Sequence, residues 1–294
     1  MHIIYLFFIV SISSTKLFIT IQNQPKSAII HESGRRDKMI LLRKATNKEA
    51  KKWIQEYLSN LKGDYDSTMP DIINESTAYI VSIDTKDAAL VCESTSKGRF
   101  LSCFYVIDAY LKYSNDIFTK AKELLNFKEG LVLSFDQKAL ATMIEHQRDI
   151  KVDSYNFTFS QNKVVPPVFP LKYLQIATKE DVKHFDELKR LENLDELLDK
   201  SCIYVYKNTS SNEYIGFGLL KPSIDKDTYE LNAKVNDAYR HQGIGRSILL
   251  HLSTICQAKG RKPVANCPSS SVSTYRTLYS AGFIAPSSII KVFF

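Results

Sequence analysis

Between Val235 and Arg246 the chain reads Asn-Asp-Ala-Tyr-Arg-His-Gln-Gly-Ile-Gly, residue types whose spacing suits the binding of an anion. Gly243 and Gly245 let a backbone come close to a diphosphate, and their N–H groups would point inward. A helix is expected directly behind them, because apolar residues follow at 244, 248, 252, 255 and 256. The positive end of its dipole would add to the attraction. Before the loop, Leu231, Ala233 and Val235 alternate with Glu230, Asn232 and Lys234, the pattern of a strand with one apolar and one polar face. Two well-known nucleotide loops do not fit. The third glycine of a dinucleotide fingerprint is replaced by Ile248, and the Gly-Lys-Ser/Thr of a Walker A loop is absent. A bare Gly-x-Gly also occurs in ordinary tight turns.

The elements that would carry this loop occur in two similar halves. Around Ala45-Thr46 and again around Ala177-Thr178, an apolar strand leads into polar residues and then an aromatic at the same offset, Trp53 or Phe185. Strands are expected at 78–83, 88–92, 100–107, 131–135 and 155–160 in the first half, with helices over 116–127 and 137–146. The second half repeats the order: strands at 202–206, 214–220, 229–235, 263–266 and 289–293, with helices over 243–258 and 272–281. Between them, Val164 to Pro170 contains two adjacent prolines and reads as an extended linker. The expected division is an extension over 1–38, a first lobe over 39–163, a linker over 164–170 and a second lobe over 171–294.

A chain of 294 residues with 44% hydrophobic and 24% charged residues can bury a large core, which excludes disordered and low-complexity classes. The net charge of +7 is concentrated late: from Lys234 onward there are eight Lys or Arg against one acid, Asp237. Such a patch suits a phosphate-bearing ligand, a membrane surface or nucleic acid. No basic stripe interleaved with aromatics is present, so nucleic acid is not expected. The five cysteines are scattered without a Cys-x-x-Cys pair, which argues for reduced thiols and against a disulfide framework or zinc site. Ile3 to Val10 is too short to span a bilayer. Residues 1–38 are either a targeting segment or a poorly ordered extension before a fold beginning near Met39, so a cytoplasmic location is expected, or a secreted or organellar one if that segment targets the chain.

The loop Arg240, Gly243, Gly245 with its flanks YRHQGIGRSILLHL and YRTLYSAGF resembles the GNAT superfamily of acyl-CoA-dependent N-acyltransferases. The resemblance implies an α/β fold of two GNAT-like lobes, each a mixed twisted sheet flanked by helices. It implies acetyl-CoA or another acyl-CoA as co-substrate, no metal, and a small-molecule or peptide amine as acceptor. Val235 at the strand end would hydrogen-bond the pantetheine arm, while Arg240, Gln242, Gly243, Ile244, Gly245 and Arg246 would hold the pyrophosphate. The first half has Ala109 to Ser114 where the loop should be, without glycine, and is expected to bind no CoA.

Acyl transfer to an amine needs a base, an oxyanion donor and a proton for the thiolate. By the resemblance Glu230 stands where the family often has its base, against the simpler reading of a solvated strand-end glutamate. The family's acid, a tyrosine, is replaced by Leu278, with Tyr279 one residue later and Tyr275 one turn earlier. The family's frequent asparagine is replaced by Ser271. His241 and Cys267 read as a loop histidine and a packing thiol. These departures keep a second expectation open, a CoA-binding or interaction protein of the same fold without catalysis.

Overall fold

The computed structural model describes residues 8–12, 15–21, 26–30 and 38–294, apart from 97, 162–163, 192, 209 and 224–226. Packing divides the chain into two units: unit 1 is Met1–Lys62, Met69–Val152 and Ile289–Phe294, and unit 2 is Gly63–Thr68 and Asp153–Ser288.

Unit 1 opens with strands β1 (Phe8–Ile12), β2 (Thr15–Ile21), β3 (Lys26–Ile30) and β4 (Lys38–Lys44), each antiparallel to the next. The first three lie where an extension was expected. β3 satisfies the outer edge of β4 from Lys26↔Leu42 to Ile30↔Lys38. Helix α1 (Asn47–Asn60) starts at Thr46, whose N–H donates to the Glu49 carboxylate at 2.9 Å while its hydroxyl accepts from the Glu49 N–H at 3.3 Å. A short helix α2 (Thr68–Asn74), not legible in the sequence, precedes β5 (Thr77–Ile83), β6 (Lys86–Ser94) and β7 (Phe100–Val106). A 3-10 turn over Asp108–Tyr113 then leads directly into α3 (Ser114–Leu125), followed by β8 (Glu129–Leu133), α4 (Gln137–Glu145) and β9 (Asp149–Phe159). Around fully buried Phe118 pack Phe104, Phe127 and Phe294, with ring centroids 5.2, 5.8 and 5.0 Å away.

In unit 2, β10 (Leu174–Ile176) is followed by three short helices, α5 (Lys179–Val182), α6 (Asp186–Lys189) and α7 (Leu194–Asp199). The repeat of the first half is kept at the start, where the Asp181 carboxylate takes the Thr178 N–H and hydroxyl, both at 2.7 Å. It breaks at Phe185, which is extended (φ −136°, ψ 109°) and turns its buried ring against Phe217. Then come β11 (Ile203–Lys207), β12 (Tyr214–Pro222), β13 (Thr228–Val235), α8 (Ile244–Ala258), β14 (Lys262–Pro268), α9 (Val272–Ser280) and β15 (Phe283–Phe293). The core of this unit joins Ile244, Ile248, Leu252 and Cys256 of α8 to Leu231, Ala265, Leu278 and Phe283.

Both halves repeat one order: antiparallel strands, then a helical crossover to a parallel neighbour, β7 beside β8 and β13 beside β14. Their last strands are exchanged. β9 pairs with β14 from Ser154↔Pro268 to Thr158↔Val264, and β15 pairs with β8 from Ile289↔Leu133 to Phe293↔Glu129. Each parallel strand has one edge left to fill, and these pairings satisfy its N–H and C=O groups. The division by packing therefore falls at Val152, ahead of the proline stretch, and β15 runs from one unit into the other.

Candidate active site

β13 pairs with β12 along most of its length, from Tyr229↔Pro222 to Val235↔Gly216, but with β14 only at Thr228↔Lys262, Tyr229↔Pro263 and Glu230↔Val264. Beyond Glu230 a cavity of about 560 Å³ opens, lined by Leu231 to Val235 on one side and by Ala265 and Asn266 on the other. Along this edge β13 has no strand partner among the described residues, so its peptide groups can receive the amides of an extended ligand. Glycines on β12 make the arrangement possible. A Cβ on Gly216 would lie 2.3 Å from the Lys234 carbonyl oxygen, and one on Gly218 would lie 2.6 Å from the Leu252 side chain. Sequence reasoning passed over this Gly-x-Gly, whose signal is a pair of glycines inside an apolar strand.

At the cavity's other end the chain turns through Asp237–Tyr239 and reaches Gly243, the N-cap of α8, with φ 75° and ψ 9°. That left-handed backbone favours glycine. Gly245 serves differently: a Cβ there would lie 3.2 Å from Thr277 and 3.6 Å from Val235, both cavity-lining residues. The first amides of a helix have no intrahelical acceptor, so the head of α8 presents donors to the cavity. Arg246 also lines it, with its buried Nε unpartnered. The basic excess of this region is largely absorbed elsewhere, since Lys234, Arg240, Arg261, Lys262 and Lys291 pair with Glu187, Asp237, Asp227, Asp64 and Glu129. Arg246 and Arg276, both lining the cavity, form no ion pair among the described residues.

Glu230 stands where the strands part. Its Oε1 accepts the Ser67 N–H at 2.6 Å, and its Oε2 accepts the Ser67 hydroxyl at 3.0 Å and faces the Lys221 ammonium at 3.4 Å. Lys221 lies directly across the β12–β13 ladder from it. Asp66, only 7% exposed, is pushed up to about 6 by burial and then by the nearby Glu230 charge, with Thr68 hydrogen bonds and Lys221 opposing. Residues 63–68 are held in unit 2 by Asp64, which pairs with Lys262 at 2.6 Å and accepts from Thr158 at 3.1 Å, while its carbonyl accepts from Ser287 at 2.7 Å.

Two family models match the chain: Acetyltransferase (GNAT) domain over residues 46–160 and Acetyltransferase (GNAT) family over residues 171–283. A GNAT-family acetyltransferase from Colwellia psychrerythraea superposes with a TM-score of 0.74 at 14% identity, covering 86% of this chain and 99% of the other. A tandem GNAT protein from the clavulanic acid biosynthesis pathway superposes with a TM-score of 0.57 at 9% identity, covering 86% and 97%. The chain is a tandem member of the GNAT family. A GCN5-related N-acetyltransferase from Sphaerobacter thermophilus shares the fold with a TM-score of 0.56 at 12% identity, covering 86% and 95%. No curated protein sequence matches the chain.

In this tandem GNAT protein, Val235, Arg240, Gly243, Ile244, Gly245 and Arg246 all line the cavity. Gln242 is exposed and is not among the lining residues, and neither is Glu230. Lys234, which alternation puts on the same strand face as Glu230, meets Glu187 at 2.9 Å, while Lys221 occupies the position across the ladder from Glu230. His241 lines the cavity in a left-handed conformation, φ 63°. Leu278 is buried and lines the cavity, whereas Tyr279 is half exposed and Tyr275 lies edge-on to Tyr155 and Phe157. Among the described residues Tyr239 is the tyrosine on the cavity wall, its hydroxyl held up in pKa by a hydrogen bond to Glu213. Cys267 is fully buried, and burial pushes its thiol up, as a packing residue requires. Asn266, Arg276 and Thr277 are lining residues that sequence reasoning missed, because β14 and α9 meet β13 only in three dimensions. Among the described residues no three His, Cys, Asp or Glu side chains are grouped to hold a metal, and no helix is long and apolar enough to cross a membrane.

Proposed function

We propose that unit 2 binds acetyl-CoA or another acyl-CoA and that the protein transfers the acyl group to a primary amine of a small molecule or peptide. The observation that carries this reading is the opening between β13 and β14, with an unpaired strand edge along one wall and the head of α8 at its end. The residues suit the ligand's parts. The edge from Asn232 to Val235 is arranged to pair with the pantetheine amides, and the α8 amides with Arg246 suit the pyrophosphate. When bound, acyl-CoA supplies the thioester that acylates the amine. We assign Glu230, which stands where β13 and β14 part, as the carboxylate that takes the ammonium proton.

The buried Leu278 on the cavity wall favours a second reading, CoA binding without catalysis, because it puts a methyl-bearing side chain where a proton donor would serve. Calorimetric titration with acetyl-CoA, followed by mass detection of products from polyamine, aminosugar, amino-acid and lysine-peptide acceptors, separates the two. Binding with a new acetylated amine supports the transferase; binding without any product supports the second reading. No binding removes both.

A further inference from the structure

Each oxygen of a carboxylate can accept two hydrogen bonds. Among the described residues, Oε2 of Glu230 takes the Ser67 hydroxyl at 3.0 Å and faces the Lys221 ammonium as an ion pair at 3.4 Å, whereas Oε1 takes the Ser67 N–H at 2.6 Å and faces no cation. The Glu230 side chain is 16% exposed, so it reaches little water. Ser67 itself is buried, and Lys221 also donates to its hydroxyl at 3.4 Å. The clamp comes from a part of the chain 163 residues away, and the anchors at Asp64 hold it in register.

We propose that Ser67 is the positioning residue of Glu230, fixing both carboxylate oxygens so that the remaining lone pair of Oε1, the oxygen away from the Lys221 ammonium, is offered to the acceptor. The inference rests on the reading of Glu230 as base. In the step concerned, an N–H bond of the acceptor ammonium breaks, its electron pair stays on nitrogen, and the proton bonds to Oε1. A carboxylate free to rotate would lose part of this alignment, which is what makes intramolecular proton transfer effective. Ser67 touches neither substrate in this scheme. The site in unit 2 is thus completed by residues that precede the whole of that unit's sheet in the sequence.

The test uses the full chain with acetyl-CoA and the acceptor panel named above, comparing Ser67→Ala, Glu230→Gln and the double variant. Ser67→Ala should lower kcat roughly 10-fold, the scale of one hydrogen bond to a charged group, with acetyl-CoA affinity unchanged. In the Glu230→Gln background it should cause no further loss, since a residue that acts through another is silent once that one is gone. Losses that multiply in the double variant overturn the proposal. So does wild-type turnover by Ser67→Ala beside an impaired Glu230→Gln, an outcome that leaves the base reading standing. An unimpaired Glu230→Gln, or a wild type that acetylates no amine, removes the base reading and the proposal with it. Should Ser67→Ala not fold, the Ser67 amide proton gives an independent readout. Its resonance should lie far downfield in the wild type and move upfield in Glu230→Gln, and an unmoved resonance overturns the clamp.

Discussion

Ser67 and Glu230, 163 residues apart, are joined by two hydrogen bonds of 2.6 and 3.0 Å at the point where β13 and β14 separate. The linear boundary between halves is therefore not the boundary of the site, because residues 63–68 belong by packing to the second unit.

Replacing Glu230 by Gln keeps the shape and removes the basic oxygen. With an acceptor in hand, kcat should fall by roughly 10²-fold or more, the usual scale for losing a general base, while acetyl-CoA affinity stays nearly constant. Steady-state kinetics supplies the check.

Gly243 and Gly245 should respond differently to substitution. Gly243→Ala forces a Cβ into a left-handed backbone (φ 75°) and to 2.9 Å from Val168, so it should lower stability by about 1 kcal/mol or more, read by thermal denaturation. Gly245→Glu puts a carboxylate at the cavity beside the α8 head and should weaken acetyl-CoA binding by roughly 100-fold or more in calorimetry, from bulk and from charge. Unchanged affinity in a folded Gly245→Glu protein would move the cofactor site elsewhere.

Asp66 makes stability depend on pH. Its folded value, about 6, lies above the ordinary carboxylate value, so the folded state holds the proton more tightly than the unfolded chain. The associated stability is present below about pH 4 and is lost as pH rises through about 6, up to about 3 kcal/mol for a shift of this size. Asp66→Asn should thus raise the unfolding temperature relative to wild type at pH 8 and do little at pH 4. A carboxyl NMR titration adds a second check: the Asp66 midpoint should fall in Glu230→Gln, where a repelling charge is removed.

A fragment of residues 171–294 should not fold. It lacks β9, which pairs with β14 over five residues and contributes the buried Phe157, and it leaves the end of β15 without β8. Far-UV circular dichroism and acetyl-CoA titration are the measurements; a folded, CoA-binding fragment would show that β14 tolerates an open edge.

The glycine loop at the head of α8 was legible in the chain because its determinants are local. A glycine in a left-handed turn, a second glycine facing the cavity and an amphipathic helix behind them leave their pattern within about four turns of sequence, so Arg240, Gly243, Gly245 and Arg246 fall where spacing puts them. The paired starts at Thr46 and Thr178 were legible for the same reason, since capping bonds join residues three apart. The exchange of β9 and β15, the parting of β13 from β14 and the clamp of Ser67 on Glu230 had no such trace. Strand alternation says which residues share a face, and it is silent on which strand lies alongside. The charge partner of Glu230 shows the limit most directly: Lys234 shares its strand, yet Lys221 holds the cross-strand position, and only the register of β12 on β13 decides between them.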